Sequence, residues 1–97
     1  MDLAAAHGLS SFQDAYGNVM LFKEGSPGYE KSPPVILQGH LDMVCEKDPD
    51  CRADMEREGI ALRTDGAYVW ADGTTLGGDD GIAVAYILAL LTSDEVR

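Results

Sequence analysis

The chain has 97 residues, room for one small domain, and 45% of them are hydrophobic, which excludes a disordered acidic tail. Seventeen acidic residues against seven basic ones give a net charge of -10. Binding to nucleic acid or to an anionic membrane surface is therefore not expected, because both depend on cationic side chains. An acidic balance suits the binding of divalent cations, but the charge alone favours simple solubility as its explanation.

The first half of the chain predicts two strands on either side of a loop, after weak signals of order in residues 1–17. Residues 19–23 are rich in β-forming side chains and follow a turn at residues 16–18. Glycines and prolines in residues 24–34 predict a loop. Residues 35–38 begin with an apolar run, which is typical of a strand buried on both faces in the middle of an α/β sheet.

The following segment, residues 45–59, is polar and charged, and it predicts at most one short helical turn at residues 53–57. Two short strands are expected after it, at residues 60–63 and 68–70. An Asp-Gly pair follows each of them and predicts a turn at both places. This part of the sequence therefore favours two short strands, each followed by a turn.

The clearest element is a helix over residues 82–91, which are apolar nearly all round and contain neither Gly nor Pro. Such a helix is predicted to be buried on most faces, and at this length it is about half a membrane span. Asp79 and Asp80 precede it, where the helix dipole favours negative charge. Strands with one good helix predict an α/β fold that is incomplete, because a sheet of buried strands needs helices on both faces.

Two further features bear on the compartment. The first residues lack the basic segment and the long apolar run of a secretory signal peptide. Cys45 and Cys51 are spaced like no common zinc motif, and a disulfide between them is possible but not required. We therefore expect reduced thiols in a cytoplasmic protein.

His40 and Asp42 follow directly on the predicted buried strand, and ligands of α/β sheets bind just beyond the carboxyl ends of strands. One imidazole nitrogen can bind a metal while a carboxylate receives the other N–H and fixes the tautomer. Taken alone, a short His-x-Asp motif favours an inert, hydrogen-bonded histidine at the start of a loop.

The second candidate is the stretch GGDDG at residues 77–81. Its glycines allow the backbone to turn tightly, and Asp79 and Asp80 offer hard oxygen ligands at the start of a helix. The alternative is a glycine-rich turn with an acidic helix cap. A phosphate-binding loop is disfavoured, because two carboxylates would repel a phosphate and no lysine follows Gly81.

Together the two motifs predict a partial metal site of one nitrogen and one or two carboxylates. A carboxylate can also bridge two metals roughly 3.5–4 Å apart, as two-metal hydrolases require. The other candidates, His7, Asp65 and Asp72, do not stand at a ligand-like spacing. Zinc takes three or four protein ligands, so the set that the sequence offers is incomplete.

The stretch VILQGHLDMV at residues 35–44 resembles the first metal motif of the M20 metallopeptidases, and within them that of the aminoacyl-histidine dipeptidases, also called cytosol non-specific dipeptidases. The stretch ADGTTLGGDDGIA at residues 71–83 resembles their second motif, which typically reads GTTLGADNG. Gly78 and Asp80 stand where the family usually has Ala and Asn. Residues 16–19 also resemble the stretch that opens the family's sheet.

The resemblance implies that residues 1–97 are part of one α/β metallopeptidase catalytic domain, a partial three-layer, mixed-sheet structure. It implies that His40 binds one of two divalent metal ions, that Asp42 orients this histidine, and that Asp79 bridges both ions. Asp80 is a neighbour that could assist. The ions are expected to be zinc, with manganese or cobalt as alternatives. The implied reaction is hydrolysis of a dipeptide, of Xaa-His type or of broad specificity.

In the family the general base comes from a Glu-Glu pair beyond the last predicted helix, and this chain contains no such pair. We therefore expect a piece of a longer protein, inactive as an isolated chain. The family's second domain often mediates dimerisation, so a homodimer is expected of the longer protein. The alternatives are a non-catalytic metal-binding or interaction module and a non-functional piece that does not fold.

Overall fold

The structure, a computed structural model, describes residues 2–96. Residues 38–86 form one compact unit, and the segments before and after them form another. The helices and strands, in chain order, are α1 (Asp2–Ala6), β1 (Ser10–Gln13), β2 (Val19–Phe22), β3 (Leu62–Thr64), β4 (Val69–Ala71) and α2 (Gly78–Thr92). Helices and strands are thus both present, as the α/β prediction requires, whereas the three-layer arrangement stays a prediction.

The segment before residue 38 contains an antiparallel hairpin of β1 and β2, in register from Ser10 opposite Phe22 to Gln13 opposite Val19. The carboxylate of Asp14 closes its turn by accepting hydrogen bonds from the backbone N–H of Asn18 and from the Asn18 side chain, at 2.9 and 2.8 Å. These bonds stabilise the charged carboxylate, so they lower the pKa of Asp14, with the Asn18 side chain contributing most. The predicted strand at residues 19–23 is confirmed and ends at Phe22.

Two elements of this region are absent from the sequence prediction. Helix α1 is a single turn of five residues, too short to show helical periodicity, and β1 contains two serines with only one strong β-former, Phe12. Ala4 of α1 is nonetheless the one buried hydrophobic side chain among residues 2–96, at 1% exposure. The one buried side chain among the described residues thus lies in an element that the sequence does not predict.

Residues 38–86 contain the second hairpin, in which β3 and β4 pair antiparallel from Leu62 opposite Ala71 to Thr64 opposite Val69. The strands predicted at 60–63 and 68–70 are confirmed with small shifts of their ends. The carboxylate of Asp65 accepts hydrogen bonds from the N–H groups of Ala67 and Tyr68 at 2.9 and 2.8 Å, so the turn forms as predicted. Outside the turn, Arg63 Nη2 lies 3.1 Å from Asp72 Oδ2 and joins the two sides of the hairpin.

Two predictions of burial are wrong for the described chain. Residues 35–38 form no strand, and Val35 and Ile36 are 80% and 91% exposed. The helix predicted at residues 82–91 is confirmed as part of α2, but none of its residues is buried. A strand needs a hydrogen-bonded neighbour, and an apolar helix is buried only where it covers the face of a sheet. The sheets of residues 2–96 are two separate two-stranded hairpins, and residues 35–38 belong to neither of them.

The start of α2 is irregular. Asp79 and Asp80 have non-helical backbone angles, and the peptide bond between them is cis. The N–H of Gly81 donates to Gly77 O at 3.0 Å, and regular helix continues from there to Thr92. No helix within residues 2–96 has the length and apolar character needed to cross a membrane.

Candidate metal centre

Two segments that are far apart in sequence run side by side in the second unit. The N–H of Asp48 donates to Gly73 O at 2.8 Å, and the N–H of Thr75 donates to Glu46 O at 3.0 Å. Between them, Lys47 and Thr74 form an antiparallel β-bridge. We call residues 43–48 and 73–77 the paired segments. They join the chain that follows His40 to the chain that precedes Asp79, and so bring the two motifs together.

Thr75 cross-links the paired segments through its side chain. Its hydroxyl donates to Val44 O at 2.6 Å and accepts from the N–H of Glu46 at 3.4 Å. A threonine suits this position because its hydroxyl both donates and accepts. The side chain therefore adds to the backbone ladder where the ladder is only a few bonds long.

Gly77 ends the second paired segment, with φ at +79°, a left-handed conformation that glycine adopts without steric cost. A Cβ at this position would also lie 2.9 Å from Met43 Sδ. The glycine thus serves twice, because it turns the chain towards α2 and leaves room for the methionine. The glycine-rich pattern noted in the sequence has a specific structural reason here.

The side chains of the two consecutive aspartates diverge at the start of α2. The Asp79 side chain is 98% exposed, and its Oδ1 lies 3.6 Å from His40 Nε2. Asp80 is half-buried, and its Oδ2 accepts a hydrogen bond from the backbone N–H of His40 at 3.3 Å. Adjacent carboxylates thus contact different parts of the same histidine, one its ring and the other its main chain.

The ring of His40 is oriented from its other side by Asp42. His40 Nδ1 lies 2.9 Å from the main-chain carbonyl oxygen of Asp42 and 3.6 Å from its carboxylate Oδ1. A carbonyl oxygen only accepts, so Nδ1 carries the proton of the neutral ring and Nε2 keeps a free lone pair facing Asp79. The closer contact of Asp42 is therefore through its backbone, whereas the resemblance implies orientation by its carboxylate.

The electrostatic surroundings of His40 favour the protonated ring. The hydrogen bond to Asp42 O raises the pKa of His40 most, partial desolvation opposes this, and the negative charges of Asp42, Asp79 and Asp80 raise the pKa further. A nitrogen that attracts a proton in this way lies in a field that also attracts a metal cation.

The distance between His40 and Asp79 can be compared with metal geometry. Two ligand atoms bound to a tetrahedral zinc at about 2.0–2.1 Å lie roughly 3.3–3.4 Å apart. His40 Nε2 and Asp79 Oδ1 are 3.6 Å apart, and imidazole nitrogen and carboxylate oxygen are both zinc donors. This pair fits one shared cation. Residues 2–96 contain no group of three or more His, Cys, Asp or Glu side chains that could hold a metal, so this pair alone does not make up a complete metal site.

The other acidic candidates have structural partners. Asp65 caps the β3–β4 turn, and its bonds to the N–H groups of Tyr68 and Ala67 lower its pKa, with that of Tyr68 contributing most. Asp72 is paired with Arg63. Sequence reasoning missed the contact of Asp80 with the His40 main chain and the cross-link made by Thr75. Only the position of the threonine, shortly before a glycine-rich stretch, could have drawn attention to it.

Two comparisons with known proteins point to dipeptidases. The chain is 43% identical over 84 residues to the cytosol non-specific dipeptidase of Escherichia coli (strain K12), an alignment that covers 87% of this chain and 17% of that protein. It matches the crystal structure of aminoacylhistidine dipeptidase from Vibrio alginolyticus with a TM-score of 0.89 at 41% identity, over 99% of this chain and 20% of that one. No protein-family model matches. The resemblance to the aminoacyl-histidine dipeptidases is confirmed, over a chain that spans about a fifth of their length.

Proposed function

We propose that this chain supplies the first ligands of a two-metal site that hydrolyses dipeptides, with His40 and Asp79 as metal ligands. The observation that carries this proposal is the 3.6 Å separation of His40 Nε2 and Asp79 Oδ1, with the proton of the ring held on Nδ1. The names of the two relatives support the substrate class, dipeptides, either of Xaa-His type or more broadly. Zinc is the proposed ion, with manganese or cobalt as alternatives.

Bound divalent ions would polarise the scissile carbonyl and lower the pKa of a water molecule at this site. The residues of the chain have separate tasks. Asp42 holds the Nδ1–H of His40, so that the Nε2 lone pair points outward. Asp79 presents an exposed carboxylate beside that lone pair, and a carboxylate has two oxygens with which to contact two ions. Asp42 is thus a positioning residue in this scheme.

The chain alone is proposed to bind metal without hydrolysing dipeptides. A general base is needed to take a proton from water, and no Glu-Glu pair of the kind that the resemblance implies is present in the sequence. We propose this activity only for a protein that also supplies a general base. We further propose that this protein is cytoplasmic, from the name of the bacterial relative, and that in a longer form it is a homodimer.

The first test measures zinc and manganese binding to the purified 97-residue protein by isothermal titration calorimetry. We expect His40→Ala and Asp79→Asn each to lower the affinity for zinc at least tenfold, since each removes one of two donors. Asp94→Asn is the matched control, because it removes the same charge in a residue distant from both motifs in sequence. Equal zinc affinity in all four proteins would contradict the proposed ligands.

The second test addresses catalysis. The 84-residue segment that aligns with the E. coli dipeptidase is transplanted into that enzyme, and hydrolysis of dipeptides, including one with C-terminal histidine, is assayed with zinc or manganese. We expect the chimera to be active and to lose activity on His40→Ala. An inactive but folded chimera, or clear turnover by the 97-residue chain alone, would contradict the proposed division of roles.

A further inference from the structure

The carboxylate of Asp80 has a different environment from that of its neighbour. Asp79 is almost fully exposed, whereas Asp80 is half-buried and directs Oδ2 towards the backbone of the His40 loop. Oδ2 accepts a hydrogen bond from the N–H of His40 at 3.3 Å. Helix α2 and the loop that carries the histidine are therefore linked by a contact that uses neither the imidazole ring nor Asp79.

The approach of Asp80 depends on the residue before the histidine. A Cβ added to Gly39 would lie 3.1 Å from Asp80 Oδ2 and 3.4 Å from the Cβ of Ala83. Glycine therefore lets the loop lie against the first turn of α2 closely enough for the carboxylate to reach the next N–H. This contact fixes the main chain at the residue whose ring must face Asp79.

From these contacts we infer that Asp80 is a positioning residue, whose side-chain oxygen holds the main chain of His40 against α2, and that it is not itself a metal ligand. The inference rests on the proposed function, because it assigns Asp80 a part in placing a metal-binding histidine. Its chemistry requires a hydrogen-bond acceptor but no charge. Asparagine, which the family usually has at this position, keeps such an acceptor, whereas alanine does not.

The experiment compares the metal-free 97-residue protein with Asp80→Ala and Asp80→Asn by amide hydrogen exchange, measured by NMR. We expect the His40 amide to exchange about fivefold faster in the alanine variant, the effect of one typical hydrogen bond, and within twofold of the parent in the asparagine variant. The amide of Asp48, which donates to Gly73 O at 2.8 Å, reports whether the paired segments stay intact.

Zinc affinity supplies the second measurement on the same proteins. We expect Asp80→Ala to weaken zinc binding by about fivefold, in step with the lost hydrogen bond, and Asp80→Asn to weaken it by less than threefold. Asp94→Ala controls for the lost negative charge. A ligand would behave differently, because asparagine would then lower affinity as much as alanine does.

Each outcome decides the inference. Unchanged exchange of the His40 amide in Asp80→Ala, or equal loss of zinc affinity in both variants, overturns it. If the Asp48 amide also exchanges faster in Asp80→Ala, the paired segments have opened and that variant is set aside. The asparagine variant then decides: near-parental exchange and zinc affinity support the inference, and a tenfold loss of zinc affinity overturns it. The proposed function fails on a separate result, namely if His40→Ala and Asp79→Asn bind zinc as tightly as the parent protein. In that case the exchange data still test the hydrogen bond between Asp80 and the His40 N–H.

Discussion

The paired segments and the apolar residues that precede them follow different physical rules. None of residues 43–48 and 73–77 is buried, yet backbone and side-chain hydrogen bonds define their arrangement. Residues 35–37 have the stronger β-forming sequence, but they form no strand and their side chains face solvent. In the described residues, specific hydrogen bonds arrange the paired segments, whereas an apolar run without a hydrogen-bonded neighbour forms no regular secondary structure.

The largest effect is expected where the paired segments turn into α2. Gly77→Ala places a Cβ on a residue with φ of +79°, at a backbone cost of about 1–2 kcal/mol. The clash with Met43 Sδ adds little, because the end of a flexible side chain can shift. We expect the free energy of unfolding in urea to fall by that amount and zinc affinity to fall about tenfold.

Gly78→Ala is the matched control for this change. A Cβ at Gly78 meets no atom within 4 Å, its φ is not positive, and alanine is the residue that the resemblance leads one to expect there. We expect its stability to stay within about 0.5 kcal/mol of the parent. Equal losses in the two variants would mean that chain flexibility, and not the left-handed turn, matters at this point.

A smaller effect is expected from Thr75→Val, which keeps the shape of the side chain and removes its hydroxyl. The bond to Val44 O at 2.6 Å is then lost, and about 0.5–1.5 kcal/mol of stability with it. Thr74→Val is the control, because the Thr74 hydroxyl donates only to the carbonyl of the next residue. Urea unfolding of both variants should rank Thr75 well above Thr74, and the reverse ranking would exclude the cross-link.

These residues also show how far the sequence could predict the structure. Strands β3 and β4, helix α2 and the meeting of His40 with Asp79 follow from turn residues, helix propensity and two recognisable motifs, whereas the pairing of the two strands is a finding of the structure. The contact of Asp80 with the His40 N–H does not, because it depends on where α2 begins in space and on the closeness that Gly39 allows. The burial that the sequence predicts for residues 35–38 is wrong, since apolar character does not specify which surface covers them.

The turn of the second hairpin depends on pH through the carboxylate of Asp65. Bonds from the N–H groups of Tyr68 and Ala67 hold the pKa of Asp65 below its ordinary value. A depressed pKa in the folded state means that the carboxylate stabilises the turn above the pKa of the unfolded chain, and that this is lost as pH falls through the folded value. We expect an NMR titration of the Asp65 carboxyl to show this direction. A midpoint at or above the ordinary aspartate value would contradict the turn geometry.

The smallest effect is expected in the apolar run itself. Ile36 is 91% exposed, so Ile36→Thr should change the free energy of unfolding by less than about 0.5 kcal/mol, as for most surface substitutions. Burial between two layers, as the sequence predicts, would make removal of this side chain cost about 2–5 kcal/mol. Urea unfolding of the 97-residue chain distinguishes these values directly. The same substitution in the transplanted segment of the E. coli enzyme tests whether a complete dipeptidase covers this residue. A large loss of stability in the chimera alone would mean that the rest of the enzyme buries Ile36.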